Sequence, residues 1–376
     1  MRASSEGSLL ALNLGSVTLK AARFDGFGLG AERSMLSRRI ELTLDESTGD
    51  PRTLLTRATD ALGFVAAPTW IGHRIVHGGH AEAARILDGE EIERLHALAS
   101  LAPMHQPPAL ALVESAAKLW PHAVQCGVYD TVWHAALPAN TRRLPVPQSW
   151  DAVGVRRYGF HGLAFASAMR LLAHMEDGIV RGRVVLAHLG GGSSLCAVQN
   201  GRSVDTTMTM TPLDGLPMAT RSGSLDPGAL LFLLRQDDFT VDSLEQALYH
   251  ECGLRGISGQ SGDMRELLAS DSPAAELARE VFALRVAQGI AAMATRLGGI
   301  DDLVFSGGIG ANAADVRSAI VRHLVWLGMQ LDNDANHREA TRLDAPAASL
   351  IRIWRVEVDE ESEVATACAN LVASGL

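Results

Sequence analysis

Residues 184–198 read VVLAHLGGGSSLCAV: an apolar run, three glycines, two serines and a second apolar run. Apolar runs of this length on either side of a small-residue cluster read as strand, tight turn, strand. Residues 9–24, LLALNLGSVTLKAARF, repeat the plan, with Gly15 and Ser16 at the turn. Leu14 and Leu189, which precede the two turn glycines, lie 175 residues apart. A glycine-rich hairpin at that spacing points to a duplicated domain. Working outward, Asp226 followed by Pro227 opens a helix through Leu234. Residues 275–297 keep helical apolar spacing and stop at Gly298 and Gly299. Residues 302–305 read as a buried strand, 307–312 as a loop, 314–327 as a helix and 350–358 as a further strand. Strands alternating with helices make the class α/β. The proline-rich stretch 138–150 reads as the connection between domains.

The chain has 376 residues, enough for two domains, with 47% hydrophobic and 20% charged residues. That composition excludes disorder, collagen and coiled coil as the main architecture. The net charge of −10 argues against nucleic acid and anionic membranes as partners, though not against a small anion held by a few arginines. Only Lys20 and Lys118 are lysine. The four cysteines, Cys126, Cys196, Cys252 and Cys368, form no C-x-x-C pair, so a cytoplasmic setting is expected. The sequence shows no signal-like segment and no run of 18 apolar residues.

Several stretches carry chemistry. In NLGSVTLK, from Asn13 to Lys20, a small-residue turn brings backbone amides toward an anion and Lys20 adds a charge; an ordinary polar turn reads the same way. In HLGGGSS, from His188, three glycines leave backbone amides bare for a phosphate or form a flexible tip. The run from Gly308 to Ala313, GIGANA, matches the G-x-G-x-x-A dinucleotide fingerprint, and an acid follows at Asp332. Only 63 residues remain after it, too few for a dinucleotide domain, so a nucleotide across a strand-to-helix turn fits better. His73, His77 and His80 lack the spacing of a metal motif, and Arg74 at a strand end suits a carboxylate or phosphate. Together with Asp130, His161, Arg221 and the acidic run at 359–361, these are parts used in phosphoryl transfer.

Taken in order, NLGSVTLK, HRIVHGG (73–79), LAPMHQP (101–107), VYDT (128–131), RRYGFHG (156–162), HLGGGSS, DTTMTMTPLDGLPMATRSGSLDP (205–227), GISGQSGDMREL (256–267), LVFSGGIGAN (303–312) and VDEE (358–361) resemble the signatures of the acetate/propionate kinase family. The resemblance spans nearly the whole chain. It implies a duplicated two-domain α/β fold of the acetate and sugar kinase/Hsp70/actin (ribonuclease H-like) type, with an interdomain active-site cleft. The implied domains are residues 1–134 plus 363–376 on the substrate side, and 135–362 for the nucleotide. The implied reaction is reversible transfer of the γ-phosphoryl of ATP to acetate, giving acetyl phosphate and ADP, with Mg²⁺ or Mn²⁺ and a homodimer.

Carried over by position, the resemblance makes Asp130, His161, Arg221, Arg74 and His105 the catalytic set. Arg74, Val76, Met104, Phe160 and Pro212 would bind the substrate. Lys20, His188, Leu189, Gly190, Gly191, Gly192, Asp263, Met264, Arg265, Gly308, Ile309, Gly310, Ala311 and Asn312 would line the nucleotide. Asn13 and Glu360 would hold the metal. The chain departs from the pattern at Val17, Met104, Gln106, Gly191 and Ala311. Those departures keep two alternatives in view: a propionate- or butyrate-preferring kinase, and a weakly catalytic nucleotide- or acyl-phosphate-binding regulator.

Overall fold

The computed structural model describes residues 7–15, 17–28, 35–44 and 50–374. Ser16 of the first hairpin, and residues 1–6 and 375–376 of the expected domain ranges, lie outside them.

β1 (Gly7–Leu14) turns into β2 (Thr18–Phe27), and the turn is closed by the Gly15 N–H donating to the Thr18 carbonyl at 2.8 Å. β3 (Met35–Thr43) continues the antiparallel meander. β4 (Trp70–Ile75) lies parallel to β1. The short β5 (Arg85–Ile86) forms an edge on β6 (Val124–Tyr129), itself parallel to β4. A second sheet is built from β7 (Arg183–Leu189), β8 (Ser193–Gln199), β9 (Arg202–Thr206), β10 (Asp302–Ser306) and β11 (Arg352–Arg355). The strand orders are β3-β2-β1-β4-β6-β5 and β11-β10-β7-β8-β9. Read from its other edge, the second is β9-β8-β7-β10-β11, an antiparallel meander followed by two parallel strands, as in the first. The duplication suggested by the two hairpins is present in the topology.

The helices, in chain order, are α1 (Pro51–Ala61), α2 (Gly89–His96), α3 (Gln106–Leu119), α4 (Ala139–Arg142), α5 (Gln148–Ala152) and α6 (Gly162–Met175). Between β9 and β10 come α7 (Pro227–Leu233), α8 (Val241–His250), α9 (Gly253–Ser258), α10 (Met264–Leu268) and α11 (Pro273–Leu297). α12 (Gly307–Asn312), α13 (Ala314–Arg322) and α14 (Asn333–His337) precede β11, and α15 (Glu360–Ala373) follows it. Helix starts and stops follow local chemistry. Asp226 caps α7, and Ser272 caps α11 ahead of Pro273; Gly298, at φ 68°, ends α11.

The chain divides into two compact units. The first comprises Met1–Ala135, Phe160–Ser167 and Asp359–Leu376; the second comprises Ala136–Gly159 and Ala168–Val358. β1 is a continuous apolar run because both of its faces are covered. Leu9 and Ala11 pack with Val364, Ala365 and Cys368 of α15, whereas Leu10 and Leu12 pack with Leu54, Leu55 and Leu112 of α1 and α3. In the second unit, Val185, Ala187 and Leu189 share a core with Phe282, Val286 and Ile290 of α11.

Four expectations change. Residues 307–312 form α12 instead of a loop, with Gly307 at φ 80° where a Cβ would lie 2.6 Å from the Leu189 carbonyl oxygen. The helix expected over 314–327 stops at Arg322, and Gly328 in the left-handed region follows a 3-10 turn. The strand expected over 350–358 pairs only over Arg352–Arg355. The stretch 138–150 is not a bare connector: it carries α4 and the start of α5 within the second unit. All four cysteines are free thiols. Among the described residues no helix is long and apolar enough to cross a membrane.

Candidate active site

Parallel strands deliver side chains at their C-terminal ends, and β4 and β6 deliver Arg74 and Asp130. The Arg74 guanidinium donates to the Asp130 carboxylate from Nη2 at 2.6 Å and from Nε at 3.2 Å. Its Nη1 donates to Asn13 Oδ1 at 3.1 Å. Asn13, at the end of β1, in turn donates from Nδ2 to Glu360 Oε2 and Glu361 Oε1, both at 2.9 Å. These glutamates open α15, where the N-terminal end of the helix dipole favours anions. Lys20 stands across the hairpin from Asn13 and is exposed, and its charge reaches Glu361.

The electrostatics are unbalanced: one guanidinium faces three carboxyl groups. Burial works against the Arg74 charge, but Asp130, Glu360 and Glu361 outweigh it and hold the guanidinium protonated. Burial pushes the Asp130 carboxyl up against the pull of Arg74, and Glu360 adds to the rise. Burial also pushes Glu361 up, opposed by its bond from Asn13. The surplus of negative charge and the all-oxygen donors, Glu360 and the Asn13 amide oxygen, fit a hard divalent cation such as Mg²⁺. Among the described residues no three His, Cys, Asp or Glu side chains converge as a cage. Mg²⁺ commonly takes one or two protein oxygens and completes its shell with phosphates and water.

The start of α6 wraps Asp130. Gly162 N–H donates to the Asp130 carbonyl at 3.0 Å, and Leu163 N–H donates to its carboxylate. His161, just before α6, sits at φ 57°, a left-handed conformation that a side chain bearing a Cβ rarely adopts. Phe160 and Val76 are buried, and Met104 and His105 are half-buried at the N-terminus of α3.

In the second unit, His188 is the penultimate residue of β7, and its Nδ1 lies 3.2 Å from Ser306 Oγ on the neighbouring β10. Leu189 is buried. A Cβ on Gly190 would lie 3.6 Å from the Gly308 nitrogen, so the two glycine segments are neighbours. Gly191 and Gly308 face open space. Gly192 completes the turn, Ile309 packs on the core, and Asn312 Nδ2 bonds back to the Gly308 carbonyl. Arg221 is buried, and its Nη1 donates to the Pro212 carbonyl at 2.8 Å.

Two acids singled out in the sequence act as helix caps: Asp263 accepts the Arg265 N–H at 2.9 Å, and Asp332 accepts the Ala335 N–H at 3.0 Å. Met264 lies in the core, while Arg265 projects outward and pairs with Asp263. The sequence reading missed Arg317, which is fully buried. Its Nη1 donates to the Gly310 and Ala311 carbonyls at 3.0 and 2.8 Å. Its Nε and Nη2 donate to Asn336. Arg355 Nε adds a second donor to the Ala311 carbonyl at 2.6 Å. Two guanidiniums thus hold the end of α12, and no periodic signal marks either of them.

The model of the Acetokinase family matches residues 59–366. The chain belongs to the Acetokinase family. Across 98% of its length this acetokinase-family chain is 39% identical to the acetate kinase of Rhodopseudomonas palustris (strain TIE-1), covering 99% of that protein. It is 35% identical to the acetate kinase of Nostoc punctiforme, over 97% of this chain and 99% of that one. Among solved structures it resembles a propionate kinase from Francisella tularensis, with a TM-score of 0.84, 29% identity, and 96% and 98% of the two chains covered. It also resembles the acetate kinase of Porphyromonas gingivalis, with a TM-score of 0.80, 28% identity, and 98% and 100% covered. The acetokinase fold is thus the duplicated two-domain α/β architecture of actin-like type that the signatures implied, and the protein is an enzyme, a carboxylate kinase using ATP.

Proposed function

We propose that the enzyme transfers the γ-phosphoryl of ATP directly and reversibly to acetate, giving acetyl phosphate and ADP. The observation that carries this reading is Arg74, a cation held on Asp130 and Asn13 at the strand ends and flanked by Glu360 and Glu361. Acetate is already an anion near neutral pH, so the nucleophile needs no strong base. What opposes the reaction is repulsion between the carboxylate and the phosphates. Arg74 binds the carboxylate and, with Arg221 and His161, stabilises charge on the transferring group. Asp130 orients Arg74 and the N-terminal turn of α6 and abstracts no proton. His105 assists near the phosphates, and Val76, Met104, Phe160 and Pro212 receive the methyl group.

The nucleotide lies along the segments 188–192, 263–265 and 308–312, with Lys20 beside the phosphates. In this reading the second unit is the nucleotide domain, and the first, which includes residues 160–167 and 359–362 as well as 1–134 and 363–376, is the substrate domain. Glu360 and Asn13 hold Mg²⁺, which when bound neutralises phosphate charge. The exposed apolar side chains Leu231, Phe232 and Val241 of the second unit support a homodimer. A propionate-preferring variant of the reaction is the second reading. It is favoured by the likeness to a propionate kinase and by the flexible Met104 among the methyl contacts.

The test is acyl phosphate trapped as the hydroxamate, from Mg-ATP with acetate, propionate and butyrate in parallel. Product from acetate is expected, with Arg221→Ala losing about 10²–10³ in rate. No product from any of the three acids would refute the reading.

A further inference from the structure

His77 follows β4 and Val76, is fully buried, and has both its backbone groups taken by one side chain. Its N–H donates to Gln106 Oε1 at 3.2 Å, and Gln106 Nε2 donates to its carbonyl at 3.0 Å. The same Nε2 reaches the Leu95 carbonyl at 3.4 Å, and Gln106 is itself fully buried. The His77 ring is fixed as well. Its Nδ1 accepts the Gly79 N–H at 3.0 Å, and the ring stands edge-on to Phe160 with centroids 5.4 Å apart. The Phe160 carbonyl meets His134 Nε2 at 3.0 Å.

One amide therefore ties the start of α3 to the His77 backbone, and the His77 ring carries the tie on to Phe160. Val76 is bonded directly to His77, Phe160 lies against its ring, and Met104 stands two residues before Gln106 at the start of α3. We propose that Gln106 is a positioning residue that sets the width of the pocket receiving the acyl chain, by clamping the His77 backbone to the N-terminus of α3. The inference rests on the carboxylate-kinase reading above. Gln106 touches no reacting group and acts through His77. A buried peptide group stripped of its partners seeks others, so loss of the clamp moves the Val76 segment relative to Met104 instead of leaving a rigid void.

Gln106→Asn is one methylene too short to span both bonds. Gln106→Met keeps the length and removes them, and is the variant read if the first does not fold. For wild type and variants, kcat and KM are measured for acetate, propionate and butyrate, with KM for ATP and the thermal midpoint alongside. The clamp predicts a shift of about tenfold in the propionate-to-acetate ratio of kcat/KM, in the range a single methylene is worth. It also predicts a raised carboxylate KM and an ATP KM that changes less than about twofold. A lowered thermal midpoint with an unchanged chain-length ratio and carboxylate KM makes Gln106 purely structural and overturns the inference alone. A wild-type enzyme that phosphorylates none of the three acids overturns the functional reading, and this inference with it.

Discussion

Acid should destabilise the first unit through His73, a buried residue that takes no part in the proposed chemistry. His73 lies on β4 between Leu12 and Gly127 and is 2% exposed. Gln125 Nε2 donates to the Val113 carbonyl at 3.3 Å, which turns Gln125 Oε1 toward the ring. His73 Nε2 meets that oxygen at 2.7 Å and therefore carries the proton in the neutral form. Burial lowers the pKa from 6.5 to about 4, with the Gln125 bond only partly opposing. Between those values the unfolded chain binds a proton that the folded one refuses, so stability falls as the pH drops through this window and is fully present above 6.5. At 1.36 kcal/mol per pKa unit the whole window is worth about 3 kcal/mol, most of it gone by pH 4.5. His73→Gln removes this proton uptake. Urea denaturation at pH 7 and pH 4.5 should show the wild type losing about 2–3 kcal/mol more than the variant across that interval. A parallel acid loss in both proteins, or a His73 ring that titrates near 6.5 by NMR, would refute the argument.

Gly162→Ala would place a Cβ 2.1 Å from the Asp130 carbonyl oxygen and 2.7 Å from Trp133 Cβ. Stability should fall by about 1–3 kcal/mol and kcat by about 100-fold, because Asp130 and His161 are displaced together; retained kcat in hydroxamate assays would count against this. Arg317→Met should raise the KM for ATP while leaving the carboxylate KM unchanged, and lower stability by about 3 kcal/mol through the Gly310 carbonyl and the buried Asn336 oxygens that lose their donor, the Ala311 carbonyl keeping Arg355. Equal shifts in both KM values would break the link from Arg317 to the nucleotide segment.

The two hairpins were readable because central strands covered on both faces are written as unbroken apolar runs, and the turns between them as glycine. α11 was readable from 275 onward by its helical apolar spacing and its glycine stop, while its true start, the Ser272 cap and Pro273, lies two residues earlier. α12 was not, because GGIGAN has almost no intrinsic helix propensity. It is held by Arg317 and Arg355, residues that look like surface charges until the fold buries their guanidiniums. Asp263 and Asp332 mislead in the opposite direction, since an acid awaiting a ligand and an acid capping a helix are written alike. Of the acidic run, the sequence marked Glu360, yet Asn13 grips Glu360 and Glu361 equally, a pairing that exists only once α15 lies on β1. Gln106 shows the same limit: its partner His77 is 29 residues away and offers only backbone.

α15 also sets an order of events in synthesis. β1, translated near the start, needs Val364, Ala365 and Cys368 to cover one of its faces. Residues 168–358, which make up most of the second unit, leave the ribosome before those side chains do. The earliest strand therefore waits longest for its partner, and a unit begun later can close first, the reverse of the usual N-terminal-first sequence. Until then Leu9 and Ala11 lie on an uncovered apolar face, so a nascent chain stalled before residue 360 should be the species most in need of a chaperone.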